Sequence, residues 1–133
     1  MICFISSNLW PYTLGGGERR YYEFALELMR RGYYVRYVTY GWGPSEIPLV
    51  PAGVPPPLYD SSGRRRLWPA VSFAWRVARA VRKAGCRVVD ASVPYTEVCL
   101  LPRGCTILTL FEFWGRRWRE YFGPFVGRGV EWL

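Results

Sequence analysis

Three consecutive glycines, Gly15, Gly16 and Gly17, followed by Glu18, Arg19 and Arg20, are the residues of this chain best suited to chemistry. Glycine has no Cβ, so a ligand can approach the backbone closely. Where such a turn opens a helix, the free N–H groups of the first helical turn and the helix dipole point at one spot and favour negative charge there. The chemistry implied is the capture of a phosphate or carboxylate. Just upstream, Ser6, Ser7 and Asn8 offer hydroxyl and amide groups to the same place, or simply satisfy the turn. The carboxylates Asp90, Glu97 and Glu112 fall at or just past the ends of later apolar segments, where each can face a cleft, cap a helix or pair with an arginine.

Two further clusters combine aromatic rings with cations. Arg64-Arg65-Arg66 precedes Trp68 and Trp75, a grouping suited to a lipid headgroup or an anionic acceptor, and equally to a solvated loop. Near the end, Trp114, Trp118, Tyr121, Phe122 and Phe125 alternate with Arg116, Arg117 and Arg119. Those rings can stack on sugars or bases, or pack a last helix against the sheet.

Composition narrows the field. The net charge is +8, from 18 basic and 10 acidic residues, which favours anionic partners: phosphates, nucleic acid or an anionic membrane surface. Aromatic residues make up 18% of the chain, enough to predict exposed aromatic surface for a ligand, a membrane or a second copy of the chain in a homo-oligomer. No histidine is present, and Cys3, Cys86, Cys99 and Cys105 form no C-x-x-C pair, so no metal site is expected. Cys3 sits in an apolar run and reads as core, whereas Cys99 and Cys105 flank a Pro-Arg-Gly turn across which they could pair. The absence of Gln, with Asn8 the only Asn, fits a protein from a hot environment. Met1 to Ile5 is too short for a secretory leader and no stretch is long enough to span a bilayer, so a cytoplasmic location, peripheral to the membrane if the basic patch is used, is expected.

The elements that must position these groups follow from periodicity. Met1 to Ser6 reads as a buried strand and Glu18 to Arg31 as a helix, stopped by Gly32. Tyr34 to Tyr40 reads as a second strand, rich in β-branched and aromatic residues. Gly41 to Gly63 is loop-like and proline-rich, with a short extra strand at Ile47 to Val50. Trp68 to Ala84 keeps helical spacing through Trp68, Val71, Trp75, Ala78 and Val81, and Gly85 ends it. Cys86 to Val93 and Thr106 to Phe111 are the remaining strands, with a short helix over Pro94 to Leu101 and a helical turn or two within Arg116 to Phe122. This alternation predicts an α/β fold: an open, Rossmann-like parallel sheet with helices on both faces, in a single domain over residues 1–133. Ligands of such sheets bind outside the C-terminal strand ends, where the strand order reverses.

The glycine corner is not a dinucleotide fingerprint, because Arg20 stands where G-x-G-x-x-G has its last glycine and the second strand ends Thr39-Tyr40-Gly41 with no carboxylate. Nor is it a P-loop, since no Lys-Ser or Lys-Thr follows. Instead, the opening apolar strand, then Ser-x-x-x-x-Pro-x-x-x-Gly-Gly-Gly-Glu-Arg-Arg and a helix ending Arg-Arg-Gly, resembles the first lobe of the GT-B glycosyltransferases of family four, the retaining enzymes of the glycogen-synthase and sucrose-synthase type. Val88-Val89-Asp90-Ala91-Ser92 is similar to their "D-V-V-H-A-H" strand, and Thr109-Leu110-Phe111-Glu112-Phe113-Trp114-Gly115 to their "T-x-H-E-x-W-G" strand end.

The resemblance implies an incomplete single lobe of a two-lobed fold, with the C-terminal donor-binding domain absent from these residues. It makes Gly15, Gly16 and Gly17 the loop that meets the phosphates of a nucleotide-sugar co-substrate. It puts Asn8, Tyr95, Glu112 and Trp114 on the side of an unnamed acceptor. No cofactor or metal is implied. Phe111 occupies the position of the family's active-site histidine and cannot move a proton, so sugar transfer by this chain alone is not expected and no catalytic residue is assigned. The alternative is a non-catalytic basic module for nucleic acid or an anionic membrane surface.

Overall fold

A computed structural model describes residues 1–57, 59–64, 66–92 and 105–109. Its elements are β1 (Ile2–Ile5), α1 (Gly16–Arg30), β2 (Val35–Thr39), β3 (Leu49–Pro51), α2 (Leu67–Ala84), β4 (Val88–Ser92) and β5 (Cys105–Thr109). All strand pairs are parallel, and the sheet order is β3-β2-β1-β4-β5. The chain therefore winds outward from β1 to β3, then crosses back to the other side of β1 for β4. The order reverses between β1 and β4, which is where a doubly wound sheet opens a crevice at its C-terminal edge.

Strand periodicity sorts the core into two layers. On β1, Phe4 points to one face, while Cys3 and Ile5 point to the other. The α1 layer packs Phe4, Val35 and Tyr37 of the sheet against Tyr21, Tyr22, Ala25 and Leu26, whose spacing puts them on one side of the helix. The layer is aromatic: Phe4 and Tyr21 meet edge to face at 5.0 Å, and Tyr21 meets Tyr37 in the same way at 5.8 Å. The α2 layer is mainly aliphatic, with Phe73, Val77 and Val81 pressed onto Ile5, Val38, Val89 and Ala91. Each of those large side chains, fully buried, contributes about 1.5–3 kcal/mol. Helices thus cover both faces, in agreement with the alternation of the sequence.

Boundaries differ locally, for reasons that can be named. The first helix begins at Gly16 rather than Glu18, with Gly15 as its extended N-cap, because the first helical hydrogen bond runs from the Arg19 N–H to the Gly15 carbonyl. The short extra strand is Leu49–Pro51 rather than 47–50: Ile47 is buried in the α1 layer, and pairing starts only where the Tyr37 N–H finds the Pro48 carbonyl. Helix α2 ends as expected at Gly85, whose φ of 70° is the left-handed conformation that closes a helix. The segments expected as a short helix at 94–101 and a helical turn at 116–122 lie outside the described residues, as do Tyr95, Cys99, Glu112 and Trp114.

The cysteines are arranged otherwise than their sequence positions suggest. Cys3 is core, but it is bonded to Cys86, with Cα atoms 5.8 Å apart, while Cys105 keeps a free, exposed thiol. The two half-cystines become neighbours because β1 and β4 are adjacent, and the chain returns to β4 through Cys86 right after α2. A cross-link spanning 83 residues restricts the unfolded chain strongly. Reduction, or Cys3→Ala with Cys86→Ala, is expected to cost about 2–4 kcal/mol, read as a lower denaturant midpoint, with the far-ultraviolet signature of the fold retained. A midpoint indifferent to reductant would show that the bond carries no stability.

Candidate functional site

The C-terminal edge of β1 ends in Ser6 and Ser7, both buried, and then Asn8. A tight turn follows, in which the backbone and side chain of Thr13 both donate to the Leu9 carbonyl, at 2.9 and 3.2 Å, and the Leu9 side chain is fully buried. That anchored turn delivers the chain to Gly15 at the start of α1. The rim of the crevice is completed by the loop after β2: the Trp42 indole donates to the Ser7 carbonyl at 3.0 Å, and the Tyr12 hydroxyl to the Pro44 carbonyl at 2.9 Å. Gly43, at φ 159°, has no room for a Cβ, because the Tyr12 ring fills that space.

Two of the three glycines therefore lie in the first helical turn. Gly16 is exposed, and nothing lies within 4 Å of a Cβ built on it. Gly15 differs: a methyl there would collide with the Glu18 carboxylate, which folds back over its own helix N-terminus. Asn8 holds that carboxylate in place by donating from Nδ2 to Glu18 Oε1 at 2.9 Å, while its backbone N–H is held by Ser6 Oγ at 3.2 Å. The side-chain oxygen of Asn8 is buried and finds no donor among the described residues. The Glu18 carboxylate thus lies beside the start of its own helix, where the dipole favours negative charge. Arg19 lies over the Trp10 ring, 5.5 Å from its centroid, and so steadies the turn.

Asp90 lies beneath this corner on β4, 5% exposed. Its partners are hydroxyl groups. Tyr21 of α1 donates to its carbonyl at 2.5 Å and lies 3.1 Å from its Oδ1, and Thr109 at the end of β5 donates to Oδ1 at 2.6 Å. Asp90 thus serves as a tie between α1, β4 and β5, a role that its place at a strand end did not reveal. Burial, and then the Asp90 charge, hold the Tyr21 hydroxyl far above its ordinary range. Burial chiefly raises Tyr37 as well, with the charges of Glu18 and Asp90 adding to it.

Of the residues expected to bind, Asn8, Gly15, Gly16 and Gly17 are brought together at the reversal of strand order; Tyr95, Glu112 and Trp114 lie outside the described residues. The residues missed as a group were Tyr21, Asp90 and Thr109. The only sequence signal for them was a lone acid at a strand end and a tyrosine on the apolar face of a helix. A family model described as Glycosyltransferase Family 4 matches residues 14–127. The chain belongs to this family. The match begins one residue before the glycine corner and covers both described crossover helices. No curated protein matches the chain.

The buried tyrosines set a pH dependence. Tyr21 and Tyr37 keep their protons when folded, whereas unfolded tyrosine loses its proton near pH 10.0. Above that pH the unfolded chain binds fewer protons, so stability falls as pH rises, by about 1.4 kcal/mol per pH unit for each such tyrosine. Tyr21→Phe should make this alkaline slope shallower and cost about 1–2 kcal/mol at neutral pH, from the hydrogen bonds lost at Asp90. Urea titrations between pH 8 and 11 check both effects; an unchanged slope in Tyr21→Phe would show that Tyr21 ionises freely in the fold.

Proposed function

We propose that this chain forms the acceptor-side, N-terminal lobe of a retaining GT-B glycosyltransferase of the glycogen-synthase and sucrose-synthase type, and that its glycine corner receives the phosphates of a nucleotide-sugar. Membership of glycosyltransferase family 4 supports the class of reaction. The observation that carries the reading is the Glu18 carboxylate lying over Gly15, since it marks the point where this backbone favours negative charge. A donor phosphate takes the open space beside Gly16 and meets the first-turn amides, with the Glu18 carboxylate as a neighbouring charge that opposes it. Asn8, released from Glu18, then has its amide and its unpaired oxygen free for a hydroxyl of the donor or acceptor.

In this reading most of the nucleotide-sugar site belongs to a second Rossmann-like lobe outside residues 1–133, and the transfer needs no metal ion. Phe111 leaves this lobe without the family pattern's histidine, so residues 1–133 bind weakly and do not turn over by themselves.

The measurement is calorimetric titration with a nucleoside diphosphate and its sugar conjugates. Gly16→Val keeps the fold, because nothing lies within 4 Å of the added Cβ, yet covers the amides and abolishes binding. Glu18→Gln replaces a competing charge by a neutral amide and should tighten binding by about twofold to fivefold, the worth of one charge at a helix terminus. Binding unaffected by Gly16→Val would place the phosphates elsewhere and overturn the assignment.

A further inference from the structure

We propose that the solvent face of α2, together with the cavity beside it, is a docking surface for an anionic phospholipid bilayer. This surface lies on the sheet face opposite α1, and the proposal does not depend on the sugar-transfer reading. Helix α2 carries Arg76, Arg79, Arg82 and Lys83 and no acidic residue over its 18 positions. Trp68 and Trp75 are 76% and 68% exposed. Spacings of seven, four and three place Trp68, Trp75, Arg79 and Arg82 along one stripe of the helix, turned away from the buried stripe of Phe73, Val77 and Val81.

The neighbouring stripe, Arg76, Arg79 and Lys83, walls an open hollow of about 570 Å³, lined on its other side by Arg36 of β2, Ala52 and Gly53. Gly53, at φ 117°, leaves the space that the Arg76 guanidinium occupies; a Cβ there would collide with it. Four cations thus converge on one cavity with no carboxylate in its wall, and none of them has an ion-pair partner among the described residues. Their mutual repulsion is relieved by an anion. Val54, next to Gly53 in the chain, is 80% exposed, and Val50, Pro51 and Ala80 add apolar lining to the basic hollow.

A phosphate headgroup in the cavity with indoles in the interfacial layer engages both features at once: cations bind the anionic leaflet, and tryptophan prefers the membrane–water boundary. No described helix is long and apolar enough to cross a membrane, so the contact is one of a surface lying on the bilayer. A single strand of nucleic acid would also stack on tryptophan, but it is usually held in a groove that tracks its backbone. Here the indoles stand on the outward curve of a helix, which a flat bilayer meets along its length.

The test is flotation of the full chain with vesicles of phosphatidylcholine, alone or with phosphatidylglycerol added. The chain is expected to float only with the anionic vesicles and to shift its tryptophan emission to the blue. Trp68→Ser with Trp75→Ser should weaken partitioning by about tenfold or more, and separately Arg76→Glu with Arg79→Glu and Lys83→Glu by about a hundredfold or more. The control Arg30→Glu, Arg31→Glu, Arg87→Glu changes net charge equally at other exposed positions and should float like the unaltered chain. Equal loss in the control, or full binding without the two tryptophans, reduces the effect to overall charge and overturns the proposal. Absence of flotation overturns it as well. So does tighter binding of random-sequence RNA lost in the same variants, which assigns the face to nucleic acid, or a dimer lost in them, which assigns it to a second copy. Nucleoside diphosphate titration of these variants stays unchanged in every case, so failure here is distinct from failure at the glycine corner.

Discussion

A single buried carboxyl group organises the functional edge of this fold. Asp90 ends up out of water on β4, and a polar group in that position must find hydrogen-bond donors or destabilise the structure. Its donors come from α1 through Tyr21 and from β5 through Thr109. The same contacts fix how α1 sits over the crevice between β1 and β4, and therefore where its N-terminus points. The aromatic layer beneath, Phe4, Tyr21, Tyr22 and Tyr37, supplies the apolar pressure, and the Asp90 tie supplies the orientation.

That orientation gives the glycine corner its chemistry. First-turn amides at the edge of a parallel sheet are a common anion trap, and here the chain supplies its own anion in Glu18, steered by Asn8. That carboxylate lies beside the start of its own helix, where the helix dipole favours negative charge. In the proposed reading, an incoming phosphate meets that carboxylate as a repelling neighbour.

The two helices divide their labour by charge. Helix α1 mixes Glu18, Glu23 and Glu27 with Arg19, Arg20 and Arg30, and Glu27 pairs with Arg30 and Arg31 at its C-terminal end. Helix α2 carries four cations and no carboxylate, the cations all in its C-terminal half, and keeps two indoles in water. The exposed indoles and the cations, which have no ion-pair partner among the described residues, do not hold α2 to the sheet, since the opposite stripe does that.

What the order of residues determined without help was the alternation of strands and helices, the parallel sheet with helices on both faces, and a glycine corner opening the first helix, because each rests on local periodicity or on the freedom of glycine to start a turn. Tertiary structure alone decided the rest. Cys3 pairs with Cys86 rather than Cys99 with Cys105, because adjacency of β1 and β4 is a property of sheet order, not of sequence distance. Asp90 takes hydroxyl partners 69 and 19 residues away, which no spacing rule could single out. Glu18 turns back over Gly15 because Asn8, ten residues upstream, is brought within hydrogen-bonding reach once β1 and α1 are both in place. Short-range pattern specifies the elements; which buried polar groups satisfy one another is settled only when packing has brought distant strands together.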